Sequence, residues 1–203
     1  MLDELDVAIA YDHAGSNHSK ALGRDELDTS AASKYERIVF LHRDARDTVV
    51  SGYHQATKRL TPPYTGSMSA FIRDPRHGIE KILLFNTMWL KVAQDRRRML
   101  VVQYENLHSS PLSTVSKILA FLGKERSPAA IEAAVRNNAF AAMQAKERAG
   151  AFPDKYKDHF GANLSADPNG LKVRRGKVGG FVDELSLDDA KYCNELMARS
   201  VLF

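Results

Sequence analysis

The chain has a single cysteine in 203 residues, Cys193, so it can form neither an intrachain disulfide nor a cysteine-built zinc site. A lone thiol inside a regular helical pattern reads as packing, and no metal is expected. Aromatic residues make up 8% of the chain and do not alternate with basic ones, which argues against a single-strand nucleic-acid platform. Neither sign of charge dominates. With 29 Lys and Arg against 25 Asp and Glu the formal charge is +4, enough to favour anionic ligands without naming one. The densest basic run, Arg96-Arg97-Arg98, stands between a helical pattern and an apolar strand, where cations complement the helix dipole, so no nucleic-acid partner is expected. No stretch approaches the roughly 18 apolar residues of a membrane span. Met1 to Asp6 is acidic and lacks the basic start of a secretory signal, and a soluble, cytoplasmic protein is expected. There is no Gly-x4-Gly-Lys-Ser/Thr, which argues against a P-loop kinase.

At 44% hydrophobic residues the chain can bury one sizeable core, and one domain over 1–203 is expected. Short apolar runs bounded by polar residues predict strands at 6–10, 37–41 and 100–103. Helical periodicity predicts helices at 45–58, 78–96, 111–122, 128–136 and 187–199. Ser110-Pro111 and Ser127-Pro128 are helix entries, with a capping hydroxyl before a proline at the first helical position, and Ser186 serves the last helix. Gly- and Pro-containing stretches at 59–77 and 148–172 read as loops. Strands alternating with helices predict an α/β fold, a parallel sheet flanked by helices, with its ligand at the carboxyl ends of the strands.

The most informative segment follows the strand Ile38-Val39-Phe40-Leu41, in Arg43-Asp44-Ala45-Arg46-Asp47-Thr48-Val49-Val50-Ser51. A strand end that opens into a helix presents free N–H groups and a positive dipole end. Arg43 can grip a phosphate bidentately there, or pair with Asp47. Ser51, eight residues on, can present a hydroxyl about two turns later, or bond back to its own helix. Four further segments recur in order: Tyr104-Glu105-Asn106-Leu107 after a strand, Phe121-Leu122-Gly123 at a helix end, Phe140-Ala141-Ala142-Met143, and Arg174-Arg175-Gly176-Lys177-Val178-Gly179-Gly180-Phe181.

Together these segments resemble the PAPS-dependent sulfotransferases across residues 36 to 190. The first is similar to the Arg-x7-Ser pair that holds the 3′-phosphate of 3′-phosphoadenosine 5′-phosphosulfate (PAPS). The last is similar to the Arg-Lys-Gly-x-x-Gly-Asp-Trp loop that closes over the same phosphate, with Arg175 in place of lysine. The resemblance implies a sulfotransferase fold related to the P-loop NTPases. It further implies PAPS as sulfuryl donor, 3′-phosphoadenosine 5′-phosphate (PAP) as product, and no metal. Arg43, Ser51, Arg174, Arg175 and Gly176 would bind the nucleotide, and Tyr104 and Phe140 would contact its adenine unless they are ordinary core aromatics.

The resemblance stops toward the N-terminus. The family's phosphosulfate loop, of the kind Pro-Lys-Ser-Gly-Thr-Thr, has no match, because Gly15-Ser16-Asn17-His18-Ser19-Lys20 carries the residue types in the wrong order. The chain therefore reads as a domain lacking the N-terminal strand, loop and helix. Transfer to a hydroxyl or amine needs a base for the acceptor's proton, and an imidazole suits neutral pH. The family places that histidine after a strand, which makes His13 and His18 the candidates. His42 is expected to pack beside its strand. The acceptor, a small molecule, lipid or glycan, would meet the loops 59–77 and 148–172, with Tyr64, Phe71, Phe152, Tyr156 and Phe160 available to line a pocket. After Phe181 the chain lacks the lysine that begins the family's dimer motif, so a homo-oligomer stays open. A bared sheet edge would favour self-association.

Overall fold

The computed structural model describes residues 22–94, 97–152 and 168–200. Two strands, β1 (Ile38–His42) and β2 (Met99–Gln103), pair in parallel from Ile38 opposite Met99 to His42 opposite Gln103. Between them run α1 (Ala45–Lys58), α2 (Met68–Arg73) and α3 (Ile79–Val92). After β2 come α4 (Tyr104–Ser109), α5 (Pro111–Phe121), α6 (Pro128–Asn137), α7 (Phe140–Arg148) and α8 (Leu187–Arg199). The predicted strand at 6–10 lies outside the described residues.

The α1 helix begins where it does because the Asp44 side chain accepts from the Arg46 N–H at 2.8 Å, while the Asp44 N–H donates to Glu105 at 3.0 Å. That second bond ties the start of α1 to the end of β2. Ala45, Val49 and Ala56 lie on one stripe of α1 and are buried against Phe71 and Ile72 of α2, Ile79 and Leu83 of α3, and Cys193 of α8. Small residues on that stripe let the neighbouring helices approach closely. The Cys193 thiol is fully buried, and burial pushes its pKa up to about 11, as a packed thiol requires.

Four expectations change. The predicted loop at 59–77 contains α2, capped by Ser67, whose hydroxyl accepts from the Ala70 N–H. Phe71 is 3% exposed and packs edge-on to Tyr53 and Tyr64, so Phe71 and Tyr64 belong to the core and do not line an acceptor pocket. Tyr156 and Phe160 lie outside the described residues. Ser110 makes no side-chain cap for α5, whereas Ser127 and Ser186 cap α6 and α8 as expected. Arg98 does not act as a helix-end cation; it donates to the carbonyls of Ala32 and Tyr35 and ties the segment before β1 to β2. His42 packs on Phe40 beside the strand, and burial lowers its pKa against the opposing charge of Glu105.

Candidate functional site

Four of the five sequence segments meet at the carboxyl end of β1; the fifth, Phe121-Leu122-Gly123, lies at the opposite end, where Arg37, just before the strand, donates to the Phe121 carbonyl. Arg43 leaves the strand and lays its guanidinium over the Tyr104 ring, 4.5 Å from the ring centre. Its Nη2 donates to the Lys177 carbonyl at 2.9 Å and stands 3.0 Å from Asp47. The phosphate and Asp47 readings of Arg43 do not exclude each other, because Asp47 and the Lys177 carbonyl both take the same nitrogen, Nη2. The Arg43 Nε is buried and has no hydrogen-bond partner.

Asp47 is 3% exposed and organises the other side of the site. Its two oxygens accept the backbone N–H groups of Gly179 and Phe181 at 2.8 and 2.9 Å. Glu147 on α7, 1% exposed, does the same for Lys172 and Val173, each at 2.7 Å. Gln144, one turn earlier, donates to the carbonyls of Val173 and Arg174. Arg59, at the end of α1, donates to the Gly170 carbonyl. The loop 170–181 is consequently suspended between α1 and α7 by side chains that grip its backbone, which leaves Arg175 and Lys177 to face outward from a fixed scaffold while Arg174 turns in toward Glu184.

Within that loop Gly176 and Gly179 have φ values of 58° and 69°, a region that disfavours any side chain. A Cβ at Gly176 would fall 2.5 Å from Cε2 of Phe140 and nearer still to Cδ2. The Phe140 ring therefore seats directly under the loop's first turn. Arg174 reaches Glu184 at 2.7 Å, and Arg175 reaches Glu184 and Asp183 at 3.0 and 2.5 Å. Lys177 pairs with Asp183 at 2.7 Å. Ser51 is exposed and shares a narrow hollow with His54, Gln55, Lys172 and Arg174.

Burial works to raise the Glu184 carboxyl, but hydrogen bonds from His54 and Arg174, and then their charges, outweigh it and hold it below the ordinary range. The same cluster raises Arg175, through its bonds to Glu184 and then Asp183. The cations of this cluster are already paired, so an anion could enter only by sharing or exchanging those partners. Four cations (Arg43, Arg174, Arg175 and Lys177) face three carboxylates (Asp47, Asp183 and Glu184), so a phosphate arriving there adds to or displaces existing partners.

Arg43, Tyr104, Gly176, Phe140, Ser51, Arg174 and Arg175 are thus brought to one place, whereas His13 and His18 lie outside the described residues. Asp47 was legible only as a partner for Arg43. Glu147, Gln144, His54 and Glu184 were not singled out at all. No cluster of three or more His, Cys, Asp or Glu that could hold a metal occurs among the described residues. No described helix is long and apolar enough to cross a membrane. A separate groove of about 350 Å³ between α5 and α6, lined by Leu112, Leu119 and Ile131, shares no residue with the site.

The comparisons with known proteins agree with the geometry. The chain is 30% identical over 124 residues to sulfotransferase 2B1 of Rattus norvegicus, covering 59% of this chain and 36% of the relative. It is 23% identical over 171 residues to 3-beta-hydroxysteroid sulfotransferase of Cavia porcellus, covering 78% and 54%. The chain thus spans between about a third and a half of these relatives' length. The fold matches mouse sulfotransferase SULT7A1 complexed with PAP at a TM-score of 0.68 and 22% identity, over 88% of this chain and 63% of that one. It matches retinol dehydratase in complex with androsterone and inactive cofactor PAP at 0.65 and 21%, over 82% and 47%. The family model for the sulfotransferase domain matches residues 21–201, and the chain belongs to that family.

Proposed function

We propose that this chain is one sulfotransferase domain over residues 1–203 that binds the 3′-phosphoadenosine end of PAPS and serves sulfuryl transfer to a hydroxyl or amine. The acceptor would be a small molecule, lipid or glycan in the cytoplasm, with PAP as product. The observation that carries this reading is the meeting of Arg43, at the head of α1, with the suspended loop of Arg174, Arg175 and Gly176. The residues fit the nucleotide's 3′-phosphate in three respects. Arg43 keeps a buried Nε without a partner, Gly176 takes a positive-φ turn that seats the loop on the Phe140 ring and so fixes Arg174 and Arg175, and Ser51 stands open beside Arg174. Arg43, Ser51, Arg174 and Arg175 would hold that phosphate, and the Phe140 and Tyr104 rings would contact the adenine.

When bound, PAPS supplies the sulfuryl group. The chain's own part is to fix the nucleotide by its far phosphate and to accept the acceptor's proton. His13 or His18 is the proposed base for that proton. A second reading, a module that binds 3′,5′-ADP or acceptor without efficient turnover, is favoured by one sequence fact: no segment matches the Lys-Ser-Gly-Thr pattern that would hold the 5′-phosphosulfate. Losing one donor aimed at developing charge costs about 10²–10³ in rate. Radiolabelled PAPS with a broad acceptor panel separates the two, since turnover on the order of 1 s⁻¹ belongs to an ordinary enzyme.

The nucleotide assignment has its own test. Arg43→Ala should weaken 3′,5′-ADP binding by about 1.5–3 kcal/mol, as for a charge-assisted hydrogen bond, and change 5′-AMP binding little. Calorimetric titration of both nucleotides decides it. Equal losses would show that Arg43 does not read the 3′-phosphate.

A further inference from the structure

His54 stands on α1 three residues after Ser51, with its ring edge inward. Its Nε2 meets Oε2 of Glu184, and its Nδ1 is buried without a partner. The other oxygen of Glu184, Oε1, takes Nη1 of both Arg174 and Arg175. The side chains of His54, Glu184 and Arg174 are only 15%, 14% and 15% exposed, so the three form an enclosed chain and not a surface pairing. Glu184 is itself placed by the short turn Gly180–Asp183, whose entry Asp47 holds through Gly179 and Phe181. Arg174 spends one nitrogen on Glu184. Among the described residues no acceptor takes its Nε or Nη2.

We propose that Glu184, held in place by His54, is a positioning residue that fixes the Arg174 guanidinium with one edge turned to the 3′-phosphate, and so sets discrimination for that phosphate. The proposal rests on the nucleotide reading above. An arginine left to itself has many rotamers, and ordering it on binding costs affinity; one already clamped along a carboxylate pays that cost on folding. The negative charge of Glu184 opposes a phosphate, but two guanidinium groups and an imidazole hydrogen bond share it. The Glu184 and Arg174 effects must then be coupled, and His54 must act through Glu184 alone.

The experiment is calorimetric titration of 3′,5′-ADP and 5′-AMP into the full chain and its variants, each checked for folding by circular dichroism. Glu184→Ala should lose about tenfold in 3′,5′-ADP affinity while 5′-AMP stays within about twofold. In an Arg174→Ala background the same change should add less than about twofold. His54→Ala should weaken 3′,5′-ADP selectively, and His54→Gln, which keeps a donor where Nε2 stood, should restore it. If Glu184→Ala does not fold, the His54 pair carries the test alone. An unchanged or tightened 3′,5′-ADP affinity in Glu184→Ala would overturn the proposal, since the carboxylate would then be a competitor. Equal weakening of both nucleotides would overturn it too, as general collapse of the loop. A starting chain that binds 3′,5′-ADP no tighter than 5′-AMP would overturn the nucleotide reading itself, which separates the two failures.

Discussion

Replacing Asp47 by Asn changes one oxygen into an amide and leaves the shape of the side chain intact, yet it attacks three contacts together. The carboxylate receives the Gly179 and Phe181 N–H groups at 2.8 and 2.9 Å and stands 3.0 Å from Arg43, with 2% of its side chain exposed. An amide offers one acceptor. Whichever way it turns, its NH₂ meets one of the two backbone N–H groups, donor against donor, and that N–H is left buried without a partner. A lost hydrogen bond to a charged acceptor costs about 1.5–3 kcal/mol, and breaking a buried ion pair about 3–5 kcal/mol when nothing compensates. Arg43 keeps its bond to the Lys177 carbonyl and some access to water, so the lower end applies to that part. The expected loss is about 3 kcal/mol, or about 6–12 °C in melting temperature for a chain of this size. Urea and thermal unfolding measure it, and 3′,5′-ADP affinity should fall in parallel because the arginine loop loses its tie to α1. A loss under about 0.5 kcal/mol, the range of ordinary surface changes, would refute the claim that Asp47 suspends the loop.

Glu147→Gln should destabilise by a comparable amount, about 2–3 kcal/mol in urea unfolding, since Lys172 and Val173 both donate to that buried carboxylate. Gly176→Ala combines a positive φ with collision against Phe140, and should cost about 1–3 kcal/mol by thermal melting and weaken 3′,5′-ADP in titration. Glu184 and Asp189 both have carboxyls held below their ordinary values: burial raises each, while bonds from His54 and Arg174, and from Arg73, Ser186 and Ser69, outweigh it. The unfolded chain binds these protons more readily, so the stability they contribute is full above about pH 5 and is lost as pH falls through about 4 and below, which acid titration followed by circular dichroism will trace. Cys193, fully buried with its thiol pushed up to about 11, should resist a disulfide-exchange reagent at pH 8 in the folded chain and react once urea unfolds it.

How much could be read in advance depended on the range over which each residue acts. The α1 helix was predicted to the residue because a local cap, Asp44, and a local stripe, Ala45, Val49 and Ala56, define it. The two parallel strands were legible for the same reason, as short apolar runs with polar ends. The α7 helix was missed because its apolar residues crowd its first turn, Phe140 to Met143, and its buried position further on is a charge, Glu147, where periodicity looks for a hydrophobe. Likewise α2 is six residues long inside a segment rich in proline and glycine, too short for a helical period to show.

The site divides along the same line. Arg43, Ser51, Arg174, Arg175 and Gly176 could be singled out as candidates because their spacing within short segments carries the resemblance. What holds those segments together was not, because the bonds run between residues far apart in the chain and end on backbone. Phe181 donates to Asp47 across 134 residues, and no side chain at 181 encodes that contact. Glu184 joins His54 across 130 residues too, side chain to side chain, a pairing that no local spacing encodes. A carboxylate that receives backbone N–H groups looks, in sequence, like any solvated acid. A loop of cations needs such acids to be displayed at all, since three like charges in a few residues repel unless the backbone beneath them is pinned and opposite charges lie close by. The buried acids Asp47 and Glu147 and the half-buried Glu184 are therefore as much a part of the proposed anion site as the arginines that would touch the ligand.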